Sequence, residues 1–237
     1  MTGRDARPAG PQLVLRRPRP HEMDQVAALL GEAMADNPNH VAAYGGAKAQ
    51  RASRHALLMR AFLSRRAAGP MLAAFSEGTP VGFVAASASP ACQPDAAESL
   101  RMSGALLRLG ASSARRVLDW QRAWGRHHPI APHLHVGPLA VDEEWRGRGV
   151  GRRLLQASLS ACAEAGFPAE AYLETDREEN VGFYSSLGFA VRSQGEVLGQ
   201  PNWYMNRPAT ADELAITLER GARVHQPWRR PQEGTTA

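Results

Sequence analysis

Three glycines, Gly147, Gly149 and Gly151, occupy every second position in the segment VDEEWRGRGVGRRLLQ, which covers residues 141–156. Because glycine has no Cβ, successive backbone N–H groups at such a turn can point inward without obstruction. A helix is predicted to begin directly afterwards, and it adds its own unpaired N–H groups and the positive end of its dipole. The same segment carries positive charge on Arg146, Arg148, Arg152 and Arg153. The segment therefore predicts a site for a phosphate-like anion, and the simpler alternative is a tight turn with solvated charge.

The spacing of these residues excludes two common phosphate-binding motifs. A P-loop needs the pattern GxxxxGK[ST], whereas the only lysine of the chain is Lys48. The dinucleotide fingerprint GxGxxG needs a glycine at the position of Arg152. What remains is the pattern Arg146-x-x-Gly149-x-Gly151, directly after a predicted strand and at the start of a predicted helix.

The elements that must position this loop alternate between strands and helices. The strand before the loop, over 133–141, is interrupted at Gly137-Pro138, where we expect a bulge because proline cannot donate to a ladder. Periodicity predicts the remaining elements as helices over 21–36, 49–67, 149–165 and 179–188 and strands over 13–17, 71–77, 80–87, 171–175, 189–195 and 202–207. This order predicts one α/β (α+β) domain with a mixed sheet.

The composition is ordinary for a soluble globular protein and only mildly basic. Hydrophobic residues make up 43% and charged residues 22%, and 28 Lys+Arg against 23 Asp+Glu give a net charge of +5. This balance favours anionic ligands but is too mild to indicate nucleic acid, so we expect no nucleic-acid partner. Cys92 and Cys162 lack CxxC spacing and predict reduced thiols. With no signal-peptide pattern and no apolar run of about 20 residues, we expect a cytoplasmic protein without a membrane partner.

From the glycine loop outward, the chain resembles the GNAT superfamily of acyl-CoA-dependent N-acyltransferases. The segment HLHVGPLAVDEEWRGRGVGRRLL is similar to the central strand, pyrophosphate-binding loop and helix of that family. The segment LETDREENVGFYSSLGFAV is similar to its second signature, a strand followed by Asn180, Tyr184 and LGF. The resemblance is specific over 133–191 and weaker over 13–88. It implies a mixed, mostly antiparallel central sheet with a splayed pair of strands, flanked by helices, in a domain over residues 12–208.

The resemblance implies acetyl-CoA as co-substrate and assigns residues to it. In the family, the strand before the loop diverges from its neighbour, and its main chain pairs with the pantetheine arm. That role falls here to Leu139, Ala140 and Val141, whose side chains can pack in the core meanwhile. Asn180 matches an asparagine that contacts pantetheine, with backbone solvation at a helix N-terminus as the alternative. The pyrophosphate loop comprises Arg146, Gly147, Arg148, Gly149, Val150, Gly151 and Arg152.

Two further residues are candidates for proton transfer. Tyr184 matches the family's tyrosine near the thioester sulfur, where a phenol could protonate the leaving thiolate, and packing in the core is the alternative. An amine substrate is mostly protonated at neutral pH, so a general base is useful. Glu174, at the end of the strand over 171–175, would point into the cleft between the splayed strands and is the preferred base, with a solvated or capping role as the alternative. No thiol is placed nearby by the pattern, so we expect direct attack without an acyl-enzyme.

Histidines cluster in the strand before the loop and just ahead of it. His127, His128, His133 and His135 fall within nine residues, and the last two share one strand face because side chains alternate. They either line the acceptor pocket or are hydrogen-bonded structural residues. Their spacing matches no zinc signature, so no metal is predicted. Cys162 lies in the middle of a predicted helix and is expected to pack as a small core residue.

The remaining segments concern acceptor choice and the chain ends. Residues 90–129 are helix-prone, Arg-rich and amphipathic, and they predict a helical insertion. The insertion either covers the cleft and selects the acceptor, or forms a peripheral helical pair or an oligomer contact. Residues 1–11 are predicted as a flexible tail, and 209–237 as a C-terminal helix with a flexible tail.

The resemblance leads to one functional hypothesis with two alternatives. The hypothesis is transfer of an acetyl group from acetyl-CoA to a primary amine, on a small molecule or a peptide, by direct attack on the thioester. The first alternative is a non-catalytic module that binds or senses acyl-CoA. The second is an acyltransferase with a longer acyl donor or with a protein N-terminus as acceptor. A homodimer is compatible with the family.

Overall fold

The computed structural model describes residues 12–64, 69–93, 96–167 and 170–219. The predicted tail over 1–11, the end of the helix predicted over 49–67 and everything beyond residue 219 lie outside these ranges. The strands are β1 Leu13–Arg16, β2 Met71–Ser76, β3 Thr79–Ala88, β4 His133–Val141, β5 Glu170–Thr175, β6 Ala190–Val197 and β7 Gln200–Arg207. The helices are α1 Met23–Met34, α2 Pro38–Tyr44, α3 Lys48–Leu63, α4 Ala96–Arg108, α5 Ala111–His127, α6 Val150–Glu164, α7 Glu178–Ser185 and α8 Ala211–Glu219.

The strands form one seven-stranded sheet in the order β1-β2-β3-β4-β5-β7-β6. β4 and β5 run parallel, and the other neighbouring pairs are antiparallel. Because helices cover both faces, the sheet has an apolar cluster on each side. The predicted fold class, a mixed and mostly antiparallel sheet flanked by helices, is confirmed.

One face of the sheet is covered by α6, the helix that follows the glycine loop. Its apolar residues recur at helical spacing and are buried against the strands, among them Leu154, Leu155 and Leu159. Gly82 of β3 permits this close approach, since a Cβ there would lie 2.9 Å from Leu154 Cδ1. Any larger residue would overpack this contact at a cost of about 1–3 kcal/mol. The start of α6, and with it the loop, is therefore fixed against β3.

The insertion between β3 and β4 consists of α4 and α5 and contributes to the core on the other face. Its buried residues belong to the same apolar cluster as Phe83, and they include Val117 and Trp120. Hydrogen bonds also tie α5 to its surroundings, because Arg116 Nε donates to Ala43 O over 2.9 Å. The insertion thus contributes buried residues to the core of the domain. Its role in acceptor choice stays a prediction.

One helix was not predicted. The segment NPNHVAAYGG forms α2, with Pro38 as its first residue and Gly45 directly after its end at a φ of 59°. Proline at the first helical position and glycine just past the last are favoured signals, and they were present in the sequence. Within the described ranges, no helix has the length and apolar character needed to cross a lipid bilayer.

Candidate active site

A cleft opens where β4 and β5 diverge. Their ladder holds three residue pairs and ends at His135 opposite Tyr172. Beyond this point β5 continues beside β7, while Leu139, Ala140 and Val141 pair with β3 on one side. Their other edge faces the cleft, so backbone N–H and C=O groups at this edge are available to a ligand. The register of β4 shifts next to Gly137-Pro138, where the sequence predicted a bulge.

The glycine loop closes one end of this cleft. Gly147 and Gly149 have φ angles of 73° and 77°, in the left-handed region that costs an L-residue about 1–2 kcal/mol. A Cβ at either position would meet nothing within 4 Å, so backbone conformation alone favours glycine there. α6 begins immediately after, at Val150. The turn and the helix N-terminus together provide N–H donors suited to an anion.

The cleft contains a cavity of about 500 Å³, within the range of small-molecule sites. Most of the predicted site residues line it: Leu139, Ala140, Val141, Arg146, Gly147, Gly149, Val150, Gly151, Arg152, Asn180 and Tyr184. Arg148 and Glu174 do not line it. The Arg148 guanidinium lies 5.1 Å from the centroid of the Trp145 ring. Lining residues that the sequence analysis missed are Ala33, Met34, Asn37, Trp145, Arg177, Glu179 and Phe183.

Two arginines of the loop also hold it in place. Arg146 donates to Ala33 O over 3.0 Å and to Val141 O over 3.2 Å, which joins the loop to α1 and β4. Arg152 donates to the backbone oxygen and the hydroxyl of Ser186 over 3.3 and 2.7 Å. A guanidinium has five N–H donors, so both side chains retain donors for a ligand while they fix the loop.

Arg177 adds a cation on the opposite wall of the cavity. It precedes α7, donates to Glu179 Oε1 over 2.7 Å and to Asn37 Oδ1 over 3.3 Å, and so joins two walls of the cleft. Its position depends on tertiary packing, because Asn37 is 140 residues away in sequence. No short-range pattern could have identified its contact with Asn37.

α7 brings Asn180 and Tyr184 to the cavity. The Asn180 amide donates to Thr175 Oγ1 over 3.1 Å, which fixes its orientation. Tyr184 is 8% exposed and packs against the rings of Phe183 and Phe189. Burial raises the pKa of its phenol above the usual range, and the nearby carboxylates of Asp176 and Glu174 add to the shift. The hydroxyl therefore stays protonated at neutral pH.

Glu174 lies on the other face of β5. Leu173 belongs to the apolar cluster that includes Tyr184, and alternation points Glu174 away from that cluster. The Glu174 side chain is 3% exposed, and its Oε2 accepts a hydrogen bond from His135 Nε2 over 2.8 Å. Its Oε1 has no hydrogen-bond partner among the described residues. Burial lowers the pKa of His135, but the Glu174 carboxylate and the Cys92 sulfur together outweigh this effect and raise it to about 10.

Beside this pair lies the Cys–His cluster, formed by Cys92, His128 and His133. Cys92 Sγ lies 3.6 Å from His128 Nε2 and 3.8 Å from His133 Nε2. Partial burial raises the pKa of the Cys92 thiol, but hydrogen bonds with His128, His133 and His135 outweigh it and lower the pKa to about 4. The sequence pattern did not reveal this thiol beside His135. Direct attack without an acyl-enzyme stays a prediction. Cys162, as expected, is buried in the core.

Known acetyltransferase sequences are similar to parts of this chain. A profile of the Acetyltransferase (GNAT) family matches residues 42–189. Mycothiol acetyltransferase from Nocardiopsis dassonvillei is 38% identical over 78 residues, which are 32% of this chain and 24% of that protein. Peptidyl-lysine N-acetyltransferase YjaB from Escherichia coli is 36% identical over 93 residues, which are 37% of this chain and 60% of that protein. The chain thus matches less than two thirds of either relative.

Solved acetyltransferase structures share the fold. An acetyltransferase from Corynebacterium glutamicum, described as histone acetyltransferase HPA2 and related acetyltransferase, superposes with a TM-score of 0.61 at 22% identity. That match covers 84% of this chain and 97% of the other. The polyamine N-acetyltransferase of Drosophila melanogaster superposes with a TM-score of 0.56 at 18% identity, over 82% of this chain and 98% of the other. At these identities the likeness concerns the fold alone.

Proposed function

Because the chain belongs to the GNAT acetyltransferase family, we propose that it transfers an acetyl group from acetyl-CoA to a primary amine. One observation carries the proposal: the glycine loop, the first turn of α6 and the free edge of β4 line the same cavity. An anion site next to an unpaired strand edge suits a ligand with a pyrophosphate and an amide-containing arm.

In this proposal the pyrophosphate of coenzyme A lies at the loop formed by residues 146–152. Backbone N–H groups there, with guanidinium donors of Arg146 and Arg152, neutralise its charge. Arg148 does not line the cavity, and in this proposal it contributes charge rather than contact. The pantetheine arm then follows Leu139, Ala140 and Val141 toward the point of divergence, beside Asn180.

The chemical step follows from the groups around the point of divergence. The nitrogen lone pair of a neutral amine attacks the thioester carbon, the C–S bond breaks, and coenzyme A leaves as a thiolate. Glu174, directly or through a water molecule, accepts the proton that the amine loses, and Tyr184 protonates the thiolate. Support for these roles comes from the unpartnered Oε1 of Glu174 and from the protonated phenol of Tyr184. Base and acid would act from opposite faces of the sheet.

The acceptor belongs to the primary amines in this proposal. A peptidyl-lysine acetyltransferase among the sequence relatives and a polyamine acetyltransferase among the structural neighbours suggest this class. Both cysteines are free thiols, which fits a cytoplasmic location as part of the same proposal. We include neither a nucleic-acid nor a membrane partner.

Calorimetry and an amine panel test the proposal in sequence. Titration with CoA and with acetyl-CoA should give saturable heat, and the absence of heat with folded protein would overturn the cofactor assignment. Thioester consumption is then measured with polyamines, a lysine peptide and a peptide with a free N-terminus. Turnover of a primary amine supports the proposal, whereas binding without turnover of any amine would indicate a sensing module. Faster turnover with longer acyl donors would revise the donor.

A further inference from the structure

The Cys–His cluster brings three metal-ligating atoms together from distant parts of the chain. Cys92 follows β3, His128 follows α5, and His133 is the first residue of β4. Their sulfur and Nε2 atoms all lie within 4.8 Å of one another. His133 is 2% exposed, while Cys92 and His128 are half-buried, so the group is partly shielded from solvent. Thiolate and imidazole together are the preferred ligands of zinc.

The separations between these atoms match the edges of a coordination tetrahedron. Zn–N bonds near 2.05 Å and a Zn–S bond near 2.3 Å, at tetrahedral angles, place two nitrogens about 3.3 Å apart and a sulfur and a nitrogen about 3.6 Å apart. The two Nε2 atoms of His128 and His133 are 3.3 Å apart. The sulfur lies 3.6 and 3.8 Å from them. An ion at the centre of these three atoms would lie within bonding distance of each of them.

The surroundings of His133 orient it for ligation. Its Nδ1 lies 2.8 Å from the backbone oxygen of Ala131, so Nδ1–H donates to that oxygen and the lone pair of Nε2 points toward Cys92. A backbone acceptor for the second ring nitrogen is the usual arrangement of a metal-bound histidine.

The turn that carries Cys92 is attached to the same residue. The backbone N–H of Ser89 donates to His133 O over 2.9 Å, and His133 N–H donates to Ser89 Oγ over 3.1 Å. Cys92 N–H in turn donates to Ala88 O over 3.1 Å. These bonds hold the sulfur at a fixed distance from the imidazole.

We propose that Cys92, His128 and His133 bind a divalent transition metal ion of the zinc type, with a fourth coordination position left for water or another ligand. Binding uses the Cys92 thiolate and the neutral Nε2 atoms, so the thiol proton is released to solvent. The ion would link β3, the end of the α4–α5 insertion and β4, next to the pair formed by His135 and Glu174. His135 is not a ligand in this proposal, because it does not belong to the group of ligand atoms that lie within 4.8 Å of one another. The proposal does not depend on acetyltransferase activity.

Titration of metal-free protein with Co²⁺ tests the site directly. We expect one equivalent to bind, with the visible absorption of a tetrahedral site and a thiolate-to-cobalt charge-transfer band, and one equivalent of Zn²⁺ to displace it. Cys92→Ser should remove the charge-transfer band, and His133→Gln should weaken binding by about 10- to 100-fold or more. Cys162→Ala and His127→Gln are matched controls, since they change the other cysteine and a histidine adjacent to the cluster, and both should bind as the unmodified chain does.

A second readout needs no variant and therefore does not depend on variant folding. One equivalent of Zn²⁺ should slow alkylation of Cys92 by iodoacetamide at least about tenfold, because a metal-bound thiolate is a poor nucleophile. Peptide mass spectrometry separates Cys92 from Cys162. Absence of Co²⁺ binding in folded protein, equal binding by Cys92→Ser, or an alkylation rate unaffected by Zn²⁺ would overturn the proposal. Rapid alkylation of Cys92 both with and without Zn²⁺ would identify a metal-free thiolate–imidazole pair instead.

Discussion

At the residue scale, Tyr184 and Glu174 have surroundings that suit opposite proton transfers. Tyr184 is packed among aromatic rings, and burial keeps its phenol protonated. Glu174 is also buried, but it is hydrogen-bonded to His135 through one oxygen and keeps the other without a partner among the described residues. In the proposed reaction, Tyr184 would donate a proton to the thiolate and Glu174 would accept one from the amine.

Tyr184→Phe should lower kcat by about 10²-fold, since a general acid contributes at least this much, while affinity for CoA stays near that of the unmodified chain. The substitution removes the hydroxyl and leaves the ring contacts. Steady-state kinetics and calorimetry measure the two quantities separately. Tyr44→Phe is the matched control, because it removes a buried hydroxyl that contacts His55 away from the cleft. Equal kcat values would leave Tyr184 as a packing residue.

Glu174→Gln should lower kcat by about 10²- to 10⁴-fold with little change in CoA affinity, because an amide of the same shape cannot accept the amine proton. Glu170→Gln, on the exposed start of the same strand, is the control and should keep full turnover. Thermal unfolding of both variants shows whether the loss of the contact with His135 affects folding. Full turnover by a folded Glu174→Gln variant would indicate a structural carboxylate.

At the scale of elements, the cleft depends on a strand, a turn and a helix that are contiguous in sequence. β4 provides a free edge, the turn provides two left-handed glycines, and α6 provides its N-terminus. The close contact of Gly82 with Leu154 fixes α6 against β3. A substitution in the turn can therefore change the proposed CoA binding and the backbone conformation, and the two effects are measured separately.

Gly149→Glu should abolish CoA binding, because it puts a side chain and a negative charge where the pyrophosphate is proposed to lie. The left-handed conformation adds a stability cost of about 1–2 kcal/mol. Gly78→Glu is the matched control: its φ is 82°, a Cβ there also meets nothing within 4 Å, and it lies in the β2–β3 turn. Calorimetry should show lost binding for Gly149→Glu and normal binding for Gly78→Glu. Equal CoA affinity of the two variants would contradict the assignment of the loop.

Sequence reasoning located β4, the glycine loop and α6 because their signals are local. Glycine spacing, the Gly137-Pro138 break and helical periodicity are all visible in the sequence within a window of about 30 residues. It missed Arg177 and Asn37, which meet across the cleft from positions 140 residues apart. It also missed Cys92, since the histidines were compared with short zinc signatures and the thiol lies 36 residues from His128. Those contacts arise only when the sheet brings β3, α5 and β4 together.

At the scale of the whole molecule, the helical layer opposite α6 includes a buried polar group. His40 and His55 are 5% and 4% exposed, their Nε2 atoms lie 3.3 Å apart, and Tyr44 Oη lies 3.1 Å from His55 Nδ1. The ring of Trp120, from the insertion, packs edge-on against His40 at 4.9 Å. The group thus connects α2, α3 and α5. Burial lowers the pKa of both histidines, that of His55 to about 3.

The contribution of His40 and His55 to the free energy of unfolding should therefore fall as the pH drops below about 6.5, the pKa of an unfolded histidine. Between this pH and about 3, His55 binds a proton in the unfolded chain but not in the folded chain, so it lowers stability by up to about 1.4 kcal/mol per pH unit. His40 acts in the same direction. Urea unfolding between pH 7.5 and 5 measures the slope before most carboxylates titrate. His55→Phe should flatten it, and His21→Gln, at an exposed position, should not. An unchanged slope in His55→Phe would contradict the argument.

The three residue pairs between β4 and β5 also bear on the order in which substrates arrive. Within the described residues, this short ladder is the strand pairing that joins β1–β4 to β5–β7. In the part of the chain that the structure describes, only these three residue pairs therefore connect the two parts of the sheet. A pantetheine arm bound along β4 would pair with its free edge as an additional strand and would lie between the two parts of the sheet. We therefore expect acetyl-CoA to bind first and the amine second, in an ordered ternary-complex mechanism.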